Sequence, residues 1–204
     1  QLRSAKAKWQ DGGEKNDCSA KQTALHLVAQ TRCADHFESA MDAEIENCHK
    51  KGVWEYCKRS QATKNGKIPK PGKWVLVVKT KDTGDGASTI DKYKARVVYR
   101  GDLQQYGEDF DATWAPVAKF SSIRMLLAWA GTHGDKVRQL DFVAAFLNGE
   151  LDEEIYMEQP EGYGHLHLDE NGDQMVCRLK TSLYGLKQAG RVWYKTLSSW
   201  LVSQ

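Results

Sequence analysis

The sequence is short of long apolar runs, of proline and of paired cysteines, and each shortage removes a class of protein. No stretch of 18 consecutive apolar residues occurs, and the opening QLRSAKAKWQ has no apolar core of the kind that directs secretion. Neither a membrane-spanning helix nor a secretory leader is therefore expected. Only 4 residues are Pro and 17 are Gly, with no internal repeat and no low-complexity tract. Collagen-like, mucin-like and disordered classes are excluded. The cysteines are Cys18, Cys33, Cys48, Cys57 and Cys177, an odd number with no C-x-x-C pair. A disulfide framework and a structural zinc site are not expected, and reduced thiols in an intracellular setting fit best. His165 and His167 form an H-x-H pair without a third ligand nearby, which reads as a surface loop.

What is present is ordinary globular material. The 204 residues are 41% hydrophobic and 27% charged, enough for one domain with a real core. The net charge of +2 is a cancellation. Residues 64–104 hold ten Lys and Arg against four acids, 105–175 hold four against fourteen, and 176–204 hold five against none. Two basic blocks flank an acidic one, which suits either solvated faces or a polyanionic partner.

Residues 1–33 read as a polar tail or linker, most plainly in the first 22, and 34–204 as the domain. Asp35 and Glu38 open a helix in which Phe37, Met41, Ile45 and Cys48 recur at helical spacing, closed by Lys50-Lys51-Gly52. The β-branched run 73–79, turn residues 82–89 and the alternating 93–99 predict a β-hairpin. A second helix is expected from Ser121-Ser122, with Ile123, Leu126, Leu127 and Ala130 on one stripe, ending at Gly131 or Gly134. A strand over Val137–Phe142 should run into a small-residue helical turn over Ala144–Asn148. Strands at IYMEQP and Met175–Leu179 follow, then a helix with Ala189, Val192, Trp193, Leu197, Trp200 and Leu201 on its apolar face. Without a regular β-α-β beat, the class is α+β.

Asp141 ends an apolar run and precedes the small residues AAFLNG. Such a carboxylate leaves room for Mg²⁺ and a phosphorylated ligand, and it equally suits an N-cap. Phe146 is either an aromatic wall against a sugar or a core residue. Lys94 and Arg96 share one strand face, with Lys79 and Lys81 on the partner strand. Four cations on one hairpin suit phosphate, or protect an edge strand from aggregation. Lys187, Gln188 and Arg191 open the last helix after a Gly turn, where polar and basic groups can meet an anion or a base edge.

In order, the segments KWVLVVK, YKARVVYRG, APVAK, SIRMLLA, QLDFVAAFLNGELDEEIYMEQPEGY and SLYGLKQAGRVWY resemble the reverse transcriptase of copia-type LTR retrotransposons, over about residues 34–202. The resemblance implies a right-hand polymerase fold, with the basic hairpin as fingers and the Asp141 segment as part of the palm. It implies two-metal nucleotidyl transfer onto a primer 3′ end. Asp141 would be the first catalytic carboxylate and a ligand of Mg²⁺ or Mn²⁺, joined by the backbone carbonyl of Phe142. Phe146 would be the gate that selects deoxyribonucleotides. Lys79, Lys94 and Arg96 would hold the triphosphate, the choice between the last two staying open, and Gln188 would touch nucleotide and templating strand.

The implied partners are an RNA or DNA template–primer, dNTP, and the rest of a polymerase and ribonuclease H. The implied location is a cytoplasmic virus-like particle or the nucleus. The family completes its metal site with a Y-x-D-D hairpin, and no Asp-Asp dipeptide occurs in these 204 residues. Asp91 also stands where the family has a cation. A domain stopping short of that hairpin is therefore expected to be inactive alone. Two alternatives are a non-catalytic nucleic-acid-binding remnant using the basic hairpin, and a relic that does not fold alone.

Overall fold

The computed structural model describes residues 34–82, 88–163 and 167–204. The expected tail 1–33, the centre of the hairpin turn, Cys18, Cys33 and His165 lie outside the described residues. The first helix, α1 (Ala34–Lys50), buries Ala34, Phe37, Met41, Ile45 and Cys48, the stripe its spacing predicts. Its end is a Schellman closure. Gly52 sits at φ +61, its N–H donates to the His49 carbonyl at 3.0 Å, and the Val53 N–H donates to the Cys48 carbonyl at 3.0 Å.

The chain next forms β1 (Trp54–Cys57) and a short helix, α2 (Arg59–Lys64). α2 was not foreseen, because RSQATK carries no apolar stripe. The hairpin is longer than its sequence signal, pairing β2 (Gly72–Asp82) with β3 (Ser88–Tyr99) antiparallel. One face pairs Trp74 with Val97 and Leu76 with Ala95, turned to the core; the other pairs Val75 with Arg96, Val77 with Lys94 and Lys79 with Lys92. The register shifts between Lys79 and Thr80.

A second sheet has the order β1-β5-β4, all antiparallel, with β4 (Tyr156–Glu158) and β5 (Val176–Leu179). The base of the hairpin is tied to it: the Lys70 N–H donates to the Tyr156 carbonyl at 3.1 Å, and the Glu158 N–H donates to the Lys70 carbonyl at 3.0 Å. Arg59 reaches Glu158 through two hydrogen bonds of 2.7 and 2.6 Å. One core joins α1, both sheets and the 183–189 segment, including Met41, Val53, Trp74, Val97, Met157 and Leu183. Cys48, Cys57 and Cys177 are free and buried, and burial pushes the Cys48 thiol up to about 12.

The stretch 111–144 differs from expectation. The helix α3 (Phe120–His133) forms as predicted and ends at Gly134 in the left-handed conformation, yet it buries no residue. The strand expected over Val137–Phe142 is absent, and no ladder involves these residues. A strand exists only by pairing, and no described segment offers Val137–Phe142 a partner. The last helix, α4 (Ala189–Val202), buries only Ala189 and Val192, leaving Trp200 and Leu201 exposed. No described helix is long and apolar enough to cross a membrane.

Candidate functional site

The solvent-side face of the hairpin gathers several cations. Alternation places Arg96, Lys94 and Lys92 on β3 opposite Val75, Val77 and Lys79 on β2. Lys92 was missed by sequence reasoning, although its spacing of two from Lys94 could have found it. Partial burial first, then repulsion from Arg96, Lys79 and Lys92, holds the Lys94 ammonium below its ordinary pKa. Cations that disfavour one another in this way gain by meeting an anion.

One carboxylate approaches this group. Glu44 of α1 is half-buried; burial raises its carboxyl pKa, and a hydrogen bond from the Val97 backbone, then Arg96 and Lys94, offset part of that rise. Its Oε1 has no hydrogen-bond partner. Nothing in the local sequence marks Glu44, since its meeting with β3 is a product of packing.

The SLYGLKQ segment is welded to the end of β3. The Tyr99 N–H donates to the Tyr184 carbonyl at 2.8 Å. Gly185 lies at φ +90, and a Cβ there would collide with the Tyr99 carbonyl oxygen; a Cβ on Gly101 would strike the Gly185 carbonyl. Only glycine permits this approach of two backbones. Beyond it, Gln188 is 1% exposed. Its Oε1 accepts from Gln104 Nε2 at 3.1 Å, and its Nε2 donates to the Asp109 carbonyl at 3.0 Å. Gln104 in turn accepts the Lys187 N–H at 2.8 Å, while Lys70 pairs with the Asp109 carboxylate. Lys187 Nζ lies 4.8 Å over the Phe110 ring. The polar residues of SLYGLKQ thus serve a buried, satisfied network as well as a surface.

Asp141 is exposed and makes no hydrogen bond or ion pair with a described residue. It does not cap the following 3₁₀ turn (Ala145–Asn148), whose N-cap is Ala144 at φ 52, an uncommon left-handed alanine. Phe142 packs edge-to-face on Trp193 of α4, with centroids 5.0 Å apart. The turn is fixed by fully buried Leu147 and by Gly149, where a Cβ would lie 2.6 Å from Val192 Cγ1. Phe146 sits at the rim of the core, its ring edge-to-face with Tyr184 at 5.7 Å. Arg96 lies 5.1 Å over that same Tyr184 ring.

The structure thus brings Arg96, Tyr184 and Phe146 into one chain of contacts. It puts Gln188 in the adjoining buried network, and leaves Asp141 apart as a lone exposed carboxylate. Among the described residues no group of three or more His, Cys, Asp or Glu is arranged to hold a metal ion. One carboxylate does not hold two divalent ions about 3.5–4 Å apart, so these residues do not by themselves make the metal centre that reverse transcriptases use.

Comparison with known proteins gives the family. Residues 53–204 match the model of the reverse transcriptase (RNA-dependent DNA polymerase). The chain is 44% identical over 168 residues to the retrovirus-related Pol polyprotein of transposon TNT 1-94 from Nicotiana tabacum, covering 81% of the chain and 12% of that protein. It is 40% identical over 191 residues to that of transposon RE2 from Arabidopsis thaliana, covering 91% of the chain and again 12% of the relative. Against the Ty1-BL Gag-Pol polyprotein of Saccharomyces cerevisiae it is 36% identical over 112 residues, 55% of the chain and 6% of that protein. No solved structure gives a significant match. The chain spans about an eighth of the length of these plant relatives and belongs to the reverse transcriptase family of copia-type retrotransposons.

Proposed function

We propose that this chain supplies the fingers and part of the palm of an RNA-directed DNA polymerase, and that the hairpin β2–β3 is where it grips nucleic acid and the incoming nucleotide. The observation that carries the reading is the hairpin face on which Arg96, Lys94, Lys92 and Lys79 crowd one another, within a chain of this family. In this reading residues 34–204 are one reverse transcriptase domain behind a polar segment, 1–33. Lys79, Lys94 and Arg96 hold the triphosphate, and Phe146 selects the deoxy sugar. Gln188 acts beside the nucleotide by fixing the loop that carries Lys187.

Asp141 and the Phe142 carbonyl are the chain's contribution to a divalent-metal centre, Mg²⁺ or Mn²⁺. When such ions are bound they neutralise charge in an in-line phosphoryl transfer to a primer 3′ end. The chain's own residues position: cations draw the phosphates in, and the aromatic ring closes the sugar side. The partners are a template–primer, dNTP, and the remaining polymerase and ribonuclease H regions of the polyprotein. The isolation of Asp141 favours one second reading, a non-catalytic module that binds nucleic acid through the hairpin alone.

Binding of a primer–template duplex titrated against salt tests the common element. For the wild type, log affinity should fall linearly with log salt. The triple variant Lys79→Ala, Lys92→Ala, Lys94→Ala should lose roughly one unit of slope per phosphate contact removed. An unchanged slope and affinity would overturn the assignment of the hairpin.

A further inference from the structure

Tyr184 has two aromatic-face relations that no sequence pattern announces. Arg96 stands over its ring at 5.1 Å from the centroid, and Phe146 meets it edge-to-face at 5.7 Å. Its backbone is immobilised where a positioning side chain needs it to be. The Tyr184 carbonyl accepts the Tyr99 N–H at 2.8 Å, and the next residue, Gly185, lies against the Tyr99 carbonyl in a space that excludes any Cβ. The ring is half-buried against the core, so it lacks the freedom of a surface tyrosine. Glu44 lies near enough to attract Arg96, and the guanidinium itself rests on the Tyr184 π face. Lys94 rests on no such ring face among the described residues. Its charged neighbours are Arg96, Lys79, Lys92 and Glu44.

We propose that Tyr184 is a positioning residue that fixes the separation between the Arg96 guanidinium and the Phe146 ring, and thereby sets which sugar is accepted between them. This rests on the nucleotide-site reading above and deepens it: Arg96, not Lys94, is the cation on the gate side. A guanidinium held on a ring face is pre-organised for a phosphate, and a phenylalanine buttressed at its edge cannot swing aside for a 2′-hydroxyl.

The test titrates dATP and ATP, with Mg²⁺ present, into the 204-residue chain as wild type, Tyr184→Phe, Tyr184→Leu and Arg96→Ala. Two-dimensional NMR of the arginine side chains runs in parallel. Leucine keeps bulk but has no π face; phenylalanine keeps the face and loses only the hydroxyl. Wild type should prefer dATP. Tyr184→Leu should weaken dATP binding about threefold to tenfold and narrow the dATP-to-ATP ratio, and Tyr184→Phe should hold that ratio within about twofold of wild type. The ring-current displacement of the Arg96 side-chain signals should vanish with leucine and persist with phenylalanine, which a merely structural loss would not produce.

If wild type binds neither nucleotide, or Arg96→Ala binds as wild type does, the nucleotide-site reading falls and this inference with it. If Arg96→Ala loses binding while Tyr184→Leu keeps both affinity and ratio, or keeps the ring-current displacement, the tyrosine assignment alone is overturned.

Discussion

The helices α1 and α3 are nearly equal in length, and each carries a regular apolar stripe and a left-handed glycine at its end. In α1 the stripe is buried; Met41 and Cys48 are sealed from solvent. In α3 the corresponding residues stand open, with Leu126 67% and Trp129 60% exposed. Its neighbours Val117, Leu140 and Val143 are exposed too. Periodicity and caps are enough to make a helix, but the burial that gives most of a helix its stability comes from whatever lies against it.

Substitutions of one type made in both regions should therefore differ in sign or size. The largest contrast is between two glycines. Gly185→Ala, at φ +90 and against the Tyr99 carbonyl, should cost about 3 kcal/mol or more by urea denaturation. Gly131→Ala, inside α3 with nothing near its position, should leave global stability unchanged and raise helix content, since alanine is favoured over glycine by about 1 kcal/mol. If the two variants unfold at the same urea concentration, the proposed division between packed and unpacked regions is wrong.

Next come two leucines. Leu147→Ala empties a fully buried position beside the Phe146 ring and should cost about 2–4 kcal/mol, whereas Leu126→Ala should stay within about 0.5 kcal/mol. A smaller effect is expected at Gln188. Replacing it with leucine strands the Gln104 amide and the Asp109 carbonyl and should cost about 1–3 kcal/mol, with the Gln104 side-chain amide resonances broadening or shifting.

The smallest effect concerns Glu44. Burial raises its carboxyl pKa above the unfolded value, so the folded chain binds the extra proton. Its contribution is fully favourable below about pH 4.5 and is lost as pH rises through the folded pKa. Glu44→Gln should then be slightly more stable than wild type at pH 7, by less than about 1 kcal/mol, with the difference closing in acid. A variant that is less stable than wild type at pH 7 would mean that the hydrogen bond to the Val97 backbone, with the attraction of Arg96 and Lys94, outweighs burial.

The same contrast explains how much was legible in the sequence. The α1 stripe, the hairpin and the turn at Gly134 are local patterns with periods of 3.6 and 2, and all appear where residue spacing puts them. The family was carried by ordered motifs, of which SLYGLKQ and QLDFVAAFLNG are the densest. Pairing and proximity were not legible. Val137–Phe142 has strand composition but no partner among the described residues, and it does not form a strand. Glu44, Tyr184 and Gln104 gain their meaning from residues 52, 88 and 84 positions away, and no window along the chain holds both members of such a pair. Phe146 had two readings in sequence, wall or core, and it sits partly buried against the core cluster.

The backbone contact at Gly101 and Gly185 has a mechanical consequence. It clamps the hairpin at its root, and a second support lies where the Tyr93 ring stacks on His36 of α1, so β2–β3 behaves as a cantilever only beyond that second support. Deflection of a cantilever grows with distance from its support. Arg96 lies between the two supports and Lys92 beyond the second, so the cations of one ribbon differ in stiffness. Backbone order parameters level from Tyr99 to Tyr93 and falling towards Ile90 would record it.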